Sequence, residues 1–335
     1  MMKKLTVLGI LLLAAGSIAF ADDAKTMPIM TGRFYAAPSF TVIPGEYDTD
    51  GKYHRFDDSA KIFNLGFVLE YGVIDWITAA IQWAPGWTAW SDVTPTAGPF
   101  AGSTATLDTN GLADLFVGAK IQIVGEKAPV QNDTFRFAVA AGITIPLPGP
   151  DFSEELSNVM AGKKATINSM DKHVFAIGGR LYFDWIIREN FFINLYNETV
   201  FYPVKQDLIK DGIIGGALGS GTVNYKYKLT FELEPVFSKA LGSGIDLGAG
   251  IPVNFRYIPE YEYSVPAAVA AAAGLKTDPQ YLLSINPNIS LFLKQTPLPL
   301  ELKLQYNFPV LGNNTQARHT VIFQIKAYFA LPGRP

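Results

Sequence analysis

Strict alternation of apolar and polar residues between Val223 and Phe237 constrains this chain more than any other feature of its sequence. In VNYKYKLTFELEPVF the odd positions are apolar or aromatic, and most of the even positions are polar or charged. A period of two places these sets on opposite faces of a β-strand. At about 3.3 Å per residue, a strand of this length can cross a bilayer at a tilt, with an apolar face toward lipid. We therefore predict a membrane-spanning strand here.

The same alternation recurs along the rest of the chain. It predicts an all-β fold, a transmembrane antiparallel up-and-down β-barrel of about twelve strands within a range of ten to fourteen. Apolar residues such as Leu229 are assigned to the outer face and charged residues such as Glu232 to the inner face. The predicted strands cover residues 31–42, 61–71, 75–84, 112–124, 134–146, 173–187, 191–202, 223–237, 245–257, 280–293, 299–309 and 317–329.

The predicted connections alternate between short turns and long loops. Outer-membrane barrels have short periplasmic turns and longer extracellular loops, and an even strand number leaves both termini in the periplasm. We therefore expect the long loops outside the cell. Pro287, inside a predicted strand, predicts a β-bulge because it cannot donate a ladder hydrogen bond. The short turns are 72–74, 125–133, 188–190, 238–244 and 294–298, the long loops are 43–60, 85–111, 147–172, 203–222 and 258–279, and the last connection, 310–316, is short.

Residues 1–21 have the pattern of a secretory signal peptide. A basic start precedes an apolar segment at 5–15, and Ala-Phe-Ala at 19–21 provides a small-residue cleavage site. Such a signal directs export from the cytoplasm and is then removed. We therefore divide the chain into a signal peptide, 1–21, and an outer-membrane β-barrel, 22–335, and predict that it resides in the bacterial outer membrane.

Composition excludes several kinds of partner and site. The 335 residues carry 27 Lys and Arg against 30 Asp and Glu, so no basic excess indicates nucleic acid binding. The chain contains no cysteine, which excludes disulfides and thiolate metal sites. Its histidines, His54, His173 and His319, lack metal-ligand spacing, and Val321 stands where a hydrolytic barrel would need a serine. We predict no catalytic residue, metal or cofactor.

Charged side chains on the predicted inner face are the main candidates for function. Their signs nearly balance, which fits either pairing across the lumen or direct contact with a solute. The sequence leaves both readings open. The lumen-lining candidates are Asp114, Lys120, Arg136, Arg180, Asp184, Glu198, Lys226, Lys228, Glu232, Glu234, Arg256, Glu301, Lys303 and Arg318.

Two predicted loops are less polar than surface loops usually are. The segments Leu208–Leu218 and Val265–Leu275 are rich in Ala, Gly and Ile. They predict an apolar vestibule at the mouth of the barrel, for which Ile213, Ile214 and Val269 are the candidate contacts. The alternative is that these loops pack on one another and cover the mouth.

A hairpin in the first half of the chain resembles a known family. The segments GLADLFVGAKIQIV (111–124) and FAVAAGITIPLP (137–148) are similar to a hairpin of outer-membrane transporters of the phenol-degradation (MetA-pathway) type, which are grouped with FadL-like hydrophobic-compound channels. That family has Gly-x-Gly-Asp, an alternating strand with Gly and Lys, and a return strand closing on Pro. Ala113 replaces the second glycine here, and the matching positions are Asp114, Gly118, Lys120, Gly142 and Pro146.

The resemblance implies an outer-membrane channel for small hydrophobic or amphipathic solutes. Its expected partners are the lipid bilayer, the barrel-assembly machinery and the solute, with Phe329 or Tyr328 as the terminal aromatic assembly signal. The chain departs from FadL proper in two ways: residues 22–30 are too short for its plug, and twelve strands are fewer than its fourteen. The residues alone leave open a narrow structural barrel, a surface-exposed adhesin and a general polar porin.

Overall fold

The computed structural model closes the chain into an antiparallel β-barrel of twelve strands, which confirms the predicted fold and strand number. It describes residues 23–83, 89–93, 105–109, 114–147, 165–166, 174–207, 221–242, 244–266 and 277–331. No helix among these residues is long and apolar enough to cross a membrane. The predicted signal peptide and much of the predicted long loops lie outside the described residues.

Each strand pairs antiparallel with the next in sequence, and the last strand pairs with the first to close the barrel. The strands are β1 (Thr31–Tyr47), β2 (Tyr53–Ile74), β3 (Ile77–Trp83, continued at Ala89–Val93), β4 (Ala105–Thr109, continued at Leu115–Gly125), β5 (Phe135–Ile145), β6 (Ala176–Arg188), β7 (Phe191–Phe201), β8 (Tyr227–Gly242), β9 (Ile245–Gly250, continued at Val253–Ile258), β10 (Gln280–Ile285, continued at Asn288–Leu293), β11 (Leu300–Asn313) and β12 (Thr315–Ala330). Short strands at Val130–Gln131 and Ala165–Thr166 join the same sheet, and Gln206–Asp207, Thr222–Asn224 and Glu262–Tyr263 form a separate small sheet.

The barrel is apolar outside and polar inside. Leu181 and Leu195 are each 48% exposed on the outer face, whereas Asp184 and Glu198 are almost completely buried. A water-soluble protein has the opposite distribution, because unpaired charges are rarely buried and large apolar patches are rarely exposed. Closing the sheet pairs the backbone groups of every strand, which a lipid environment requires. The predicted alternation of faces is therefore confirmed.

The first hairpin is longer than predicted. Residues 43–60 do not form a long loop, because β1 and β2 continue to a short turn at 48–52. Pro44 and Gly45, which resemble a turn in sequence, lie instead at a bulge between Ile43 and Gly45. The actual turn contains Gly51, whose φ is 76°, and a hydrogen bond of 2.6 Å joins His54 Nε2 to Asp48 Oδ2. That hydrogen bond lowers the pKa of Asp48.

The prediction of one continuous strand from Val223 to Phe237 is wrong at its first residues. Lys226 has a φ of 57°, which breaks the extended conformation, and β8 begins only at Tyr227. The side-chain oxygen of Asn224 accepts a hydrogen bond of 3.1 Å from the Lys226 amide, as in an Asx turn. Val223 is consequently buried in the small sheet instead of facing lipid. At its other end the strand extends to Gly242.

Prolines interrupt two neighbouring strands at the same level of the wall. β9 breaks at Pro252 and β10 at Pro287, and the Asn286 amide donates to the Pro252 carbonyl at 2.8 Å. The pairing of β9 with β10 keeps the same register on both sides of the break. The bulge predicted at Pro287 lies instead between Leu283 and Ser284, where β10 shifts against β11.

Candidate functional site

We call the end of the barrel that holds Thr31 and Ala330 the terminal end, and the opposite end the loop end. At the terminal end, residues 23–30 enter the lumen ahead of β1. The Met27 amide donates to Thr78 Oγ1 on β3 at 2.7 Å, and the Ala24 amide reaches Asp184 on β6 at 3.2 Å. The segment therefore crosses the lumen from β2 and β3 to β6, although the sequence indicated only that it is short.

Asp184 is the anchor of this crossing segment. Its carboxylate is fully buried and accepts hydrogen bonds from the Ala24 amide, from Arg136 at 3.0 Å and from Asn194 Nδ2 at 2.8 Å. Asp23 adds an ion pair with Arg136 at 3.8 Å. A buried carboxylate is tolerated only when it is paired in this way. The geometry therefore fixes the segment against the inner wall.

Lys120 contributes to the same anchor. Its ammonium group donates to the Asp23 carbonyl at 3.1 Å and lies 5.0 Å from the centre of the Tyr182 ring. Tyr182 packs with the buried residues Ala24 and Tyr196. Polar and aromatic side chains of β4, β6 and β7 thus surround the segment at the terminal end.

A second ionic cluster lies further along the lumen wall. Glu198 on β7 pairs with Arg180 at 2.8 Å and with Lys228 at 3.3 Å. The Arg180 guanidinium also lies 4.6 Å from the centre of the Phe116 ring. Two cations thus compensate one almost completely buried carboxylate, and the cluster ties β6, β7 and β8 together.

Gly118 and Gly142 make room for that aromatic ring. They face each other across β4 and β5, and the Phe116 ring covers both. A Cβ atom at Gly142 would overlap the ring and the Val117 carbonyl oxygen. This close approach gives a physical reason for two of the glycines on which the family resemblance depends.

A third network joins the first and last strands. Arg33 on β1 pairs with Glu70 on β2 at 2.6 Å, and its Nη1 donates to the Tyr328 hydroxyl on β12 at 3.5 Å. Tyr328 in turn donates to Glu301 on β11 at 2.7 Å, and Lys326 pairs with Glu301 at 3.0 Å. The network spans the line where the barrel closes.

Glu232 and Glu234 form an acidic region on β8. Asn254 Nδ2 donates to Glu232 at 2.9 Å, and Asn288 Nδ2 donates to Glu234 at 2.8 Å. Lys303 on β11 interacts electrostatically with Glu232. Side-chain amides and one lysine therefore compensate these two carboxylates.

Two arginines lie nearer the loop end. Arg256 Nη2 on β9 donates to Thr315 Oγ1 at 3.4 Å, reaching past β10 and β11. Arg318 on β12 donates to Gln316 Oε1 through Nε at 3.2 Å and through Nη2 at 3.0 Å. Both guanidinium groups are thus held by neighbouring residues at the start of β12.

Lys226 is not on the lumen face of a barrel strand, contrary to its assignment from the sequence. It lies beside the small sheet, where it pairs with Glu262 at 3.1 Å and Glu260 at 3.3 Å. The hydrogen bond with Lys226 lowers the pKa of Glu262, and the same contact raises the pKa of Lys226.

Under the small sheet lies a cluster of buried aromatic and aliphatic residues. The Tyr225 and Tyr261 rings are 4.8 Å apart and pack with Val174 and Val223. The Tyr225 hydroxyl donates to Gln206, and burial raises the pKa of Tyr261 to about 12. The sequence did not identify this cluster, because Tyr225 and Val223 were assigned to the lipid face.

Four predicted residues have not yet been placed. Asp114 is half-buried immediately before the second part of β4, while Ile213, Ile214 and Val269 lie outside the described residues. The described residues contain no group of three or more His, Cys, Asp or Glu side chains that could hold a metal. The other candidates lie on the inner wall, namely Lys120, Arg136, Arg180, Asp184, Glu198, Lys228, Glu232, Glu234, Arg256, Glu301, Lys303 and Arg318.

The fold is similar to that of solved outer-membrane barrels. The COG4313 outer membrane channel from Pseudomonas putida F1 matches with a TM-score of 0.62 at 12% sequence identity, over 93% of this chain and 100% of that chain. The translocator domain of autotransporter NalP from Neisseria meningitidis matches with a TM-score of 0.45 at 10% identity, over 98% of this chain and 93% of that chain. The CymD monoaromatic hydrocarbon channel matches with a TM-score of 0.38 at 8% identity, over 96% and 97%.

Sequence comparison adds no relative. No family model matches the chain, and no curated protein matches it significantly. TM-scores below 0.5 do not distinguish one kind of barrel from another, so of these three matches the COG4313 channel is the one that bears on the architecture. The chain therefore has the β-barrel fold of an outer-membrane channel.

Proposed function

We propose that this protein is a bacterial outer-membrane channel for small hydrophobic or amphipathic solutes. The observation that carries the proposal is the closed barrel with an apolar outer face and charged, hydrogen-bonded inner face. That distribution suits a protein that spans lipid and surrounds an aqueous path. The fold similarity to an outer membrane channel and the predicted signal peptide support the location.

The size of the barrel favours a channel over a purely structural barrel. Side chains alone fill an eight-stranded barrel, whereas barrels of sixteen or more strands leave a wide channel. Twelve strands lie between these limits. The segment 23–30 occupies part of the lumen at the terminal end, so the path is narrow there and suits small solutes.

A hydrophobic solute needs a route that avoids the charged part of the lumen. We propose capture at the loop end followed by passage through the wall near Pro252 and Pro287. Proline cannot donate a ladder hydrogen bond, so two adjacent strands are weakened at one level. The remaining bonds there include the 2.8 Å contact from the Asn286 amide to the Pro252 carbonyl.

The test combines uptake with conductance. Intact cells producing the protein take up N-phenyl-1-naphthylamine, a hydrophobic dye that fluoresces in the outer membrane and is excluded by an intact surface. Replacing Ile213, Ile214 and Val269 with Asp lowers the rate of uptake, while single-channel conductance in KCl stays unchanged. The matched control introduces Asp at Thr49 and Lys52 in the short β1–β2 turn and leaves uptake unchanged.

Other outcomes select the competing functions. If uptake is the same with and without the protein, but neutralising Lys228 alters ion selectivity, the protein is a general polar pore. If neither uptake nor conductance is found, the barrel is structural or adhesive. We further propose that the barrel-assembly machinery inserts the chain and recognises Phe329 or Tyr328, next to the end of β12.

A further inference from the structure

We infer that Glu232 and Glu234 on β8, together with Asn286 on β10, form a binding site in the lumen for the primary ammonium group of an amphipathic solute. The inference rests on the proposed channel function and names the chemical class of the solute's polar head. It assigns a role to an acidic region that makes no hydrogen bond to the crossing segment.

The two carboxylates of this region carry more negative charge than their surroundings balance. Glu232 and Glu234 are 5% and 7% exposed and lie two residues apart on the inner face of one strand. Neither forms an ion pair within the described part of the chain, and Lys303 acts on Glu232 electrostatically without contacting it. Two negative charges thus face one positive charge. Like charges in a partly buried place are unfavourable, and a bound cation offsets their repulsion.

Each carboxylate has one oxygen that is already occupied and one that is open. Asn254 Nδ2 donates to Glu232 Oε2 at 2.9 Å, and Asn288 Nδ2 donates to Glu234 Oε1 at 2.8 Å. Both donors are neutral amides, which hold the carboxylates in position without cancelling their charge. Glu232 Oε1 and Glu234 Oε2 accept no hydrogen bond from any residue that the structure describes, so both are available to a ligand.

Asn286 provides a third open acceptor. Its side chain is 5% exposed, and its Oδ1 has no hydrogen-bond partner among the described residues. The residues beside it on the inner face of β10 belong to the same region, because Asn288 donates to Glu234 and Ser284 lies opposite Asn254. A buried polar atom is normally paired, so this oxygen indicates a donor that a ligand supplies.

Pro252 separates Glu234 from Asn286. The register between β8 and β9 is the same on both sides of the break in β9, as is the register between β9 and β10, so Pro252 lies opposite both residues. Its ring is buried on the inner face and has no hydrogen-bond donor. Two strand spacings put the backbones of Glu234 and Asn286 about 10 Å apart, a gap that two inward side chains and a small cation can fill.

Gly250 makes room for one of the carboxylates. A Cβ atom there would overlap Glu234 Oε1 and would lie 3.0 Å from Asn288 Nδ2. The missing side chain lets the Glu234 carboxylate lie against β9 and reach Asn288. The position of this carboxylate therefore depends on a close backbone approach at Gly250.

The number and kind of open atoms select an ammonium group. A primary ammonium group has three N–H donors and no acceptor, and the open atoms are three acceptors, Glu232 Oε1, Glu234 Oε2 and Asn286 Oδ1. Calcium takes about six to eight oxygen ligands, and magnesium requires a nearly ideal octahedron. With one oxygen of each carboxylate held by an amide, the region suits an amine better than either metal ion.

Purified protein in detergent at neutral pH provides the test, with benzylamine as the probe. Benzyl alcohol is its neutral counterpart, and benzyltrimethylammonium keeps the charge but lacks N–H donors. Isothermal titration shows saturable benzylamine binding, and Glu234→Gln lowers the affinity at least tenfold. Asp246→Asn is the matched control, because Asp246 on β9 already pairs with Lys294 at 2.6 Å, and it leaves the affinity unchanged.

A second variant moves the site without changing its charge. Gly250→Ala displaces the Glu234 carboxylate and lowers the affinity for benzylamine, while both glutamates remain. Gly179→Ala, where a Cβ meets nothing within 4 Å, leaves the affinity unchanged. Each variant is titrated as heat-modifiable protein, so that a loss of binding does not reflect unfolding.

Four results would overturn the inference. Benzyl alcohol binding as tightly as benzylamine would show that the charge is irrelevant, and equally tight binding of benzyltrimethylammonium would show that the N–H donors are. Equal competition by calcium would indicate a metal-ion site. Unchanged benzylamine affinity in folded Glu234→Gln and Gly250→Ala proteins would place binding elsewhere. Uptake of the naphthylamine dye tests channel function separately, so it can persist when the ammonium site fails.

Discussion

The Ala24 amide donates to both carboxylate oxygens of Asp184, at 3.3 and 3.2 Å, although the two residues are 160 positions apart. Ala24 lies seven residues before β1, whereas Asp184 lies in the middle of β6. The contact therefore joins the start of the described chain to the far wall of the lumen. Together with the contacts of Met27 and Asp23, this buried side chain holds the segment that narrows the lumen.

Asp184→Asn should release the crossing segment. The change removes the charge that pairs with Arg136, and breaking a buried ion pair costs roughly 3–5 kcal/mol. We expect a spin label at Lys25 to become more mobile and single-channel conductance to rise. Asp246→Asn is the control. Asp246 lies on β9 and pairs with Lys294 at 2.6 Å, so this change should alter neither measurement. An immobile label in the Asp184 variant would show that the carboxylate does not hold the segment.

Lysine substitutions along β8 should show which of its outward-facing residues lie in the interior of the membrane. Leu233 faces outward near the middle of the span and is 48% exposed, so Leu233→Lys should destabilise the barrel by roughly 2–4 kcal/mol. Leu241 lies near the terminal end of the same strand, where Lys should cost about 0–1 kcal/mol. Urea unfolding in lipid vesicles measures both. Equal losses would contradict the assignment of Leu233 to the membrane interior.

Gly142→Ala should displace the Phe116 ring and weaken its contact with Arg180. Overpacking of this kind costs about 1–3 kcal/mol, which should lower the temperature at which the heat-modifiable band unfolds. Gly179→Ala is the matched control, because a Cβ there meets nothing within 4 Å. Adding Phe116→Leu to Gly142→Ala should restore part of the loss. No loss in Gly142→Ala would mean that the ring moves freely.

Protonation of Glu262 should weaken the small sheet at acidic pH. Lys226 lowers the pKa of Glu262 below its ordinary 4.5, so this contact adds stability above pH 4.5 that disappears as the pH falls through the lower folded value. The raised pKa of Lys226 adds stability below pH 10.5 that is lost at higher pH. The protection factors of the Thr222–Asn224 amides, which correct for the intrinsic pH dependence of exchange, should fall outside this window. Glu262→Gln should remove the acid dependence, and an identical acid response in that variant would exclude the pair as its cause.

Peptide tags should establish the orientation. Tags at Gly102 and Ala270, in the predicted long loops, should be reached by antibody on intact cells. A tag at Ser243, between β8 and β9, should be reached only after the outer membrane is opened. The connections between β2 and β3, between β6 and β7 and between β8 and β9 are short and lie at the terminal end with the start of β1, which favours a periplasmic location for that end. Labelling at Ser243 alone would invert this orientation.

Strand number and face orientation were predictable because they depend on local alternation. Phe231 and Glu232 are adjacent in a strand, and adjacent side chains of a strand point to opposite faces. The break at Lys226 was not predictable in this way. Lysine rarely adopts the left-handed backbone conformation, and Asn224 stabilises it here only through a specific hydrogen bond.

The candidate site was only partly predictable. Alternation placed Arg180 and Glu198 on the inner face, but it could not pair them or show that Lys228 shares the same carboxylate. The entry of Ala24 into the lumen depends on partners far away in sequence, and nothing near Ala24 indicates it.

The network at Arg33 also bears on how the barrel closes. A one-residue slip between β1 and β12 would turn apolar residues inward, but a two-residue slip would keep every face correct. Alternation therefore cannot exclude that error. In the native alignment Arg33 lies opposite Tyr328, and the Lys326 ammonium lies 5.6 Å from the Tyr35 ring centre. A two-residue slip would separate both pairs by about 7 Å along the strand, so these polar contacts select the correct register when the two ends of the sheet meet.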